Sequence, residues 1–96
     1  MLPSLIESFF KDAPRLIGEA QLFLEQDQPA DLRRAAHSLK STSATFGAMA
    51  LSALARELEF KARDEALEGA EELLRRIQSE YAQAQAALEE VQRLST

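Results

Sequence analysis

The chain has no cysteine and a single histidine among its 96 residues. The missing cysteines exclude a disulfide framework, thiolate catalysis and the Cys-rich zinc sites. With one histidine, a first-row transition-metal site lacks the several imidazole or thiolate ligands it ordinarily recruits, so no metal ligand and no bound cofactor is expected. Only three glycines and three prolines are available for turns. One valine, three isoleucines and three threonines are too few β-branched residues to build a sheet. Long apolar runs are also absent. The longest uncharged stretch, Ser41 to Ala55, is fifteen residues interrupted by Ser, Thr and Gly, too short and too polar to span a bilayer. Basic residues are outnumbered, 11 against 16 acidic, giving a net charge of −5 and a pI near 4.8. That balance argues against nucleic acid as a partner and in favour of protein. No charged-then-apolar signal segment opens the chain, so a cytoplasmic protein without membrane association is expected.

What the sequence has in quantity is helix formers. Ala, Leu, Glu, Gln, Lys and Arg supply 62 of the 96 residues. Apolar residues at Leu2, Leu5, Ile6, Phe9, Phe10, Ala13, Leu16, Ile17, Ala20, Phe23 and Leu24 keep to one stripe at helical period. The stripe stays in phase across Pro14, which predicts one helix over about residues 4–26, kinked near Pro14; two helices in line are the alternative. A turn at residues 27–29 and Pro29 in the next first turn start a second helix, which runs to about Phe46 before Gly47 stops it. A third helix is expected over about residues 49–64, with Leu51, Leu54, Ala55, Leu58 and Ala62 on one face. The fourth begins near Leu67 with Ala70, Leu73, Leu74, Ile77, Tyr81, Ala84, Leu88 and Val91 on its stripe, and the acidic run Asp64, Glu65, Glu68, Glu71 and Glu72 suits its N-terminal end. The predicted fold is all-α, an antiparallel up-and-down four-helix bundle, with residues 1–96 as a single domain.

The histidine lies on the second helix. At about 100° per residue, Leu32, Ala35, Ala36, Leu39, Thr42, Ser43 and Phe46 fall within a sector of about 120° that is the core face, and His37 lies about 160° from its middle. The ring is therefore expected to face outward. Its helical neighbours are Arg33, Arg34, Lys40 and Ser41, with Ala44 one turn further on. Imidazole is a competent nucleophile near neutral pH. A phosphoryl group on it would carry close to two negative charges, which nearby cations can meet with charge-assisted hydrogen bonds. The small side chains of Ser41 and Ala44 leave room for a bulky partner. A solvated surface histidine among ordinary outer-face charges is the competing reading of the same residues.

Residues 36–48, A-H-S-L-K-S-T-S-A-T-F-G-A, resemble the signature of histidine-containing phosphotransfer (HPt) domains, usually A-H-x-L-K-G-x-S-x-x-x-G-A. Ala36, His37, Leu39, Lys40, Ser43, Gly47 and Ala48 fall on the pattern, and the opening L-I-E-S-F-F-K-D-A-P and the later L-A-R-E-L-E extend the likeness over nearly the whole chain. The resemblance implies that His37 is the phosphoacceptor, that Lys40 helps hold the phosphoryl group, and that Ser43 is structural. It also implies a phosphorelay intermediate without kinase activity of its own. The partners would be response-regulator receiver domains, which supply the catalytic aspartate and Mg²⁺, or a hybrid sensor histidine kinase. Where the family usually has Gly after the Lys, this chain has Ser41, whose hydroxymethyl group takes some of the space a partner would use.

The surroundings of His37 are then also an interface, with Arg33, Arg34, Ser41 and Ala44 as its expected partner-facing residues. Phe60 lies about 160° from the middle of the third apolar stripe. It is expected to pack on the start of the first helix or a loop, with a partner contact as the alternative. Nothing in the sequence demands a dimer, and a monomer is expected. Two other readings stay open: a helical adaptor that does not turn over phosphate, and a segment of a larger hybrid or chemotaxis-type sensor kinase.

Overall fold

A computed structural model describes the backbone of residues 2–95 and the side-chain surroundings of residues 6–94. Four helices follow one another: α1 (Leu2–Glu25), α2 (Pro29–Thr45), α3 (Met49–Arg63) and α4 (Ala70–Ser95). No strand occurs among the described residues. Each helix packs on its neighbours in the chain, and α4 closes against α1, with no packing across either diagonal among the described residues. Short connections between successive helices make this an all-α, antiparallel up-and-down four-helix bundle.

The core is the set of stripes legible in the sequence. Phe9, Ala13, Leu16, Ile17 and Ala20 of α1 meet Leu32, Ala35, Ala36 and Leu39 of α2, Leu51, Leu54, Ala55, Leu58 and Ala62 of α3, and Ala70, Leu73, Leu74 and Ile77 of α4. Phe9 is fully buried and joins three helices, with ring centroids 5.2 Å from Phe46 and 5.6 Å from Tyr81. Leu2 and Leu5 of the first stripe lie outside the residues whose side chains are described. The first stripe belongs to one helix, since α1 runs through Pro14 unbroken. Pro14 is exposed, so the amide it cannot supply is missing from the solvent side of the helix.

Three turns end the first three helices in the same way. Asp27, Gly47 and Glu65 adopt positive φ of 54°, 73° and 55°. The amide after each reaches back five residues, Gln28 to Phe23, Ala48 to Ser43 and Ala66 to Lys61, each at 2.9 Å. These bonds cap otherwise unpaired carbonyls in Schellman fashion. Gly47 is the stop the sequence predicts.

Two expectations for α4 need correction. It begins at Ala70 rather than near Leu67, because Gly69 has φ of 82° and cannot belong to a right-handed helix. Asp64, Glu65 and Glu68 therefore lie outside α4, and only Glu71 and Glu72 occupy its first turn. Val91 is not part of the core stripe; it is 52% exposed. The cause is length. At 1.5 Å per residue α4 and α1 measure about 39 and 36 Å, whereas α2 and α3 measure only about 25 and 22 Å. The molecule is 45 Å long and 19 by 18 Å across. Its long pair of helices outruns the short pair, and the end of α4 has no α3 to cover it. No helix among the described residues is long and apolar enough to cross a membrane.

Candidate functional site

The short helices carry the site. α2 places Leu32, Ala35, Ala36, Leu39 and Ser43 inward, and the same 3.6-residue period turns His37 outward, where its side chain is 59% exposed. The ring leans toward α3, and its Nδ1 lies 2.8 Å from Glu59 Oε2. The other carboxylate oxygen, Glu59 Oε1, forms an ion pair with Lys40 Nζ, also at 2.8 Å. One carboxylate on α3 thus engages both the histidine and the lysine that stand one turn apart on α2.

Glu59 is buried, with a relative exposure of 9%. It sits at the edge of the α3 stripe, one residue beyond Leu58 and one turn beyond Ala55, so the packing that buries those two carries its carboxylate into the seam with α2. Burial raises the carboxyl pKa, but the hydrogen bonds and positive charge offered by Lys40 and His37 outweigh it and hold the group below the ordinary glutamate value of 4.5. Glu59 is accordingly ionised near neutral pH. An ionised carboxylate has no proton to give, so His37 Nδ1 must be the donor. In the neutral ring the lone pair then resides on Nε2, which has no protein partner among the described residues.

Ser52 fixes the register of the two helices here. Its buried hydroxyl donates to the Lys40 carbonyl at 2.9 Å, tying α3 to α2 within a turn of the histidine.

The remaining predicted site residues divide into two groups. Arg33 and Arg34 line an open depression beside the ring, together with Ala30, Ser38, Glu59 and His37 itself. Arg34 is held by Asp31 one turn back, while no ion pair engages Arg33 among the described residues. Ser41 and Ala44 are exposed and lie on the other side of the ring along α2, outside the depression. Ser43 is fully buried on the core face, away from the outer side of the imidazole.

Two expectations change at this site. Lys40 is not a free exposed cation: its side chain is only 28% exposed and is engaged by Glu59. The histidine is not simply ringed by cations either, because a carboxylate lies directly on Nδ1. Sequence reasoning missed Glu59 and Ser52. The available signal was their shared position about 80–100° from the middle of the α3 stripe, on one flank of that helix. A charge at the edge of an apolar stripe is ordinarily solvated, and a single helical wheel does not say which neighbour covers that edge.

Phe60 also differs from expectation. It does not join the side chains packed on the core and is 37% exposed. The guanidinium carbons of Arg56 and Arg63 stand 5.0 and 4.7 Å from its ring centroid.

A four-helix bundle that holds one histidine by Nδ1, beside a depression lined by arginines, defines a helical module that presents an imidazole at its surface. Residues 4–92 match the Hpt domain family, and the chain belongs to it. It is a histidine phosphotransfer protein of the phosphorelay type. The crystal structure of histidine-containing phosphotransfer protein B (HptB) from Pseudomonas aeruginosa is similar, with a TM-score of 0.92 and 27% sequence identity. The similarity covers 95% of this chain and 79% of that one. No curated protein matches the sequence. Members of the family act with receiver domains and kinases in phosphorelays.

Proposed function

We propose that His37 is the phosphoacceptor and that its Nε2 takes a phosphoryl group from the aspartyl phosphate of one receiver domain and returns it to the aspartate of another. The observation that carries the reading is the 2.8 Å contact between His37 Nδ1 and Glu59 Oε2, which leaves Nε2 as the nucleophilic nitrogen. In the forward step the Nε2 lone pair forms a P–N bond, the P–O bond to the donor aspartate breaks, and that aspartate leaves as a carboxylate. The Nδ1 proton stays where it is. The ring acquires positive charge as the P–N bond forms, and the Glu59 carboxylate beside Nδ1 offsets it. Both groups are in place before the partner arrives, so little reorganisation accompanies transfer.

Lys40 serves first through Glu59. By engaging Oε1 it fixes the carboxylate so that Oε2 faces the imidazole, and its one-turn spacing from His37 keeps a positive charge near the incoming phosphoryl group. Arg33, in the depression beside the ring, is a second source of positive charge for that group. Ser41 and Ala44, small and exposed, provide the clearance for a receiver on the other side. Mg²⁺ is supplied by the receiver, whose carboxylates and phosphoryl oxygens suit a hard cation. The protein acts as a cytoplasmic monomer, without kinase activity and without nucleic-acid or membrane partners. The acidic net charge and the lack of any Gly-rich phosphate loop in the sequence support that reading.

The test is incubation with a phosphorylated receiver domain and Mg²⁺, followed by intact mass measurement before and after mild acid. The wild type is expected to gain one phosphate that acid removes, as a P–N bond requires, and His37→Gln to gain none. A wild type that stays unmodified across a panel of receivers overturns the proposal and leaves a helical adaptor.

A further inference from the structure

Charge is unevenly placed along this acidic chain. Residues 29–63, which contain α2 and α3, carry six Lys and Arg against three acids, while the remainder carries five against thirteen. The short helices are thus the positive half of a negative molecule. Of the three acids in that half, Glu59 is buried against Lys40, Asp31 is paired with Arg34, and Glu57 is exposed next to Arg56.

The outer face of α3 adds apolar anchors to that charge. Met49, Ala53, Arg56, Phe60 and Arg63 recur at steps of four, three, four and three, so they form one line on the helix, and all five are exposed. Met49 is 64% exposed and Phe60 37%; along the helix they stand about 16 Å apart. This line flanks Glu59, and Arg63 and Arg33 together line a second depression that shares Ala30 and Arg33 with the one beside His37. The Arg63 end of the line is therefore continuous with the site. Phe60 is also held in advance, since Arg56 and Arg63 both stand over its ring and restrict it before any partner binds. The Nε of Arg63 is held by Asp64, which leaves its terminal nitrogens available.

We infer that this face of α3 is the anchor for the phosphotransfer partner, with Phe60 as the apolar contact and Arg56, Arg63 and Arg33 as the cationic rim for an acidic receiver surface. The inference rests on the function proposed above. The occupant follows from charge and chemistry. A protein that carries an aspartyl phosphate with Mg²⁺ must place carboxylates around that site, and the exposed face beside His37 offers cations to match. Aromatic and arginine side chains are the residues that concentrate binding energy when they are buried in an interface. The face sets affinity and partner choice, while His37 and Glu59 set the chemistry.

The test measures fluorescence anisotropy of labelled receiver domains with wild type, His37→Gln, Phe60→Ala and Arg56→Gln/Arg63→Gln at low and moderate salt, alongside phosphotransfer at varied receiver concentration. Phe60→Ala is expected to weaken binding roughly tenfold or more. Arg56→Gln/Arg63→Gln is expected to slow association several-fold and flatten its salt dependence. Both variants should raise the receiver concentration needed for half-maximal transfer and leave the rate at saturation unchanged, and His37→Gln should bind like the wild type. Variants that bind like the wild type overturn the docking inference, and transfer that stays intact in them leaves the phosphoacceptor reading standing. Transfer that survives in His37→Gln overturns that reading instead. If no receiver binds the wild type, both fail.

Discussion

Replacing Glu59 by Gln removes one charge and almost no volume from the seam between α2 and α3. The carboxylate is buried and contacts two groups at 2.8 Å, His37 Nδ1 and Lys40 Nζ. A Gln side chain can accept through its carbonyl oxygen from one of them and turns its amide hydrogens toward the other. Hydrogen bonds involving a charged group contribute about 1.5–3 kcal/mol each. Lys40 can recover part of the loss by reaching water, so the net destabilisation should be about 1–2 kcal/mol. At this size that lowers the melting temperature by roughly 4–8 °C for each kcal/mol. The cost also depends on pH in a defined direction. Because the folded carboxyl pKa lies below the ordinary 4.5, its stabilising contribution is fully present above that value and is lost as pH falls through the lowered folded pKa. The stability gap between wild type and E59Q should therefore close as the pH is taken below the ordinary carboxyl value of 4.5. The functional effect should be larger than the structural one, with phosphotransfer slowed about 10- to 100-fold, the range found when a hydrogen-bonding partner behind a reacting or ligating group is removed. Nitrogen NMR of the neutral ring should show the proton on Nδ1 in the wild type and a mixture of tautomers in E59Q. Transfer at the wild-type rate in E59Q, with an unchanged tautomer, would refute the argument that the carboxylate prepares the imidazole.

Three further outcomes follow from particular contacts. Lys40→Ala leaves Glu59 buried with the histidine as its remaining partner, so thermal denaturation should show a loss of about 1–2 kcal/mol together with slower transfer; an unchanged melting temperature would mean the 2.8 Å ion pair is not maintained in solution. Glu65→Gly relieves a side chain held at φ of 55° at the end of α3 and should stabilise the fold by about 0.5–1 kcal/mol in urea titrations, a gain absent if that turn relaxes to another conformation. Phe9→Ala empties a fully buried site where α1, Phe46 and Tyr81 meet, and chemical denaturation should report a loss of about 3–5 kcal/mol.

The bundle was legible because each helix carries its own apolar period, and the period survives whatever the helix packs against. Gly47 could be read as a stop for the same reason: a residue without a side chain suits the positive φ found there. Asp27 and Glu65 close their helices in the same conformation without the glycine signal, so only the three-dimensional turn reveals the likeness. The start of α4 was misplaced because Leu67 continues the apolar rhythm while Gly69 already interrupts the backbone. The outward face of His37 followed from α2 alone, since the position of a residue on one helix is a local property. Its partner did not. Glu59 is 22 residues away, and its meeting with Nδ1 depends on the register between α2 and α3, which the Ser52 bond to the Lys40 carbonyl fixes. Lys40 looked like a surface charge for the same reason, because its partner comes from the neighbouring helix. Of the exposed line from Met49 to Arg63 the helical wheel shows a lone outward Phe60, and the two arginines over its ring belong to the folded helix.

In the proposed transfer the phosphoryl group forms its bond at Nε2 of His37 while Nδ1 stays on Glu59. The most direct measurement is phosphorus–nitrogen NMR of the protein labelled with ¹⁵N in its single histidine and phosphorylated by a receiver domain. Phosphorus should be coupled to Nε2, with Nδ1 still protonated. Phosphorus coupled to Nδ1, or attached to any residue other than His37, would contradict it.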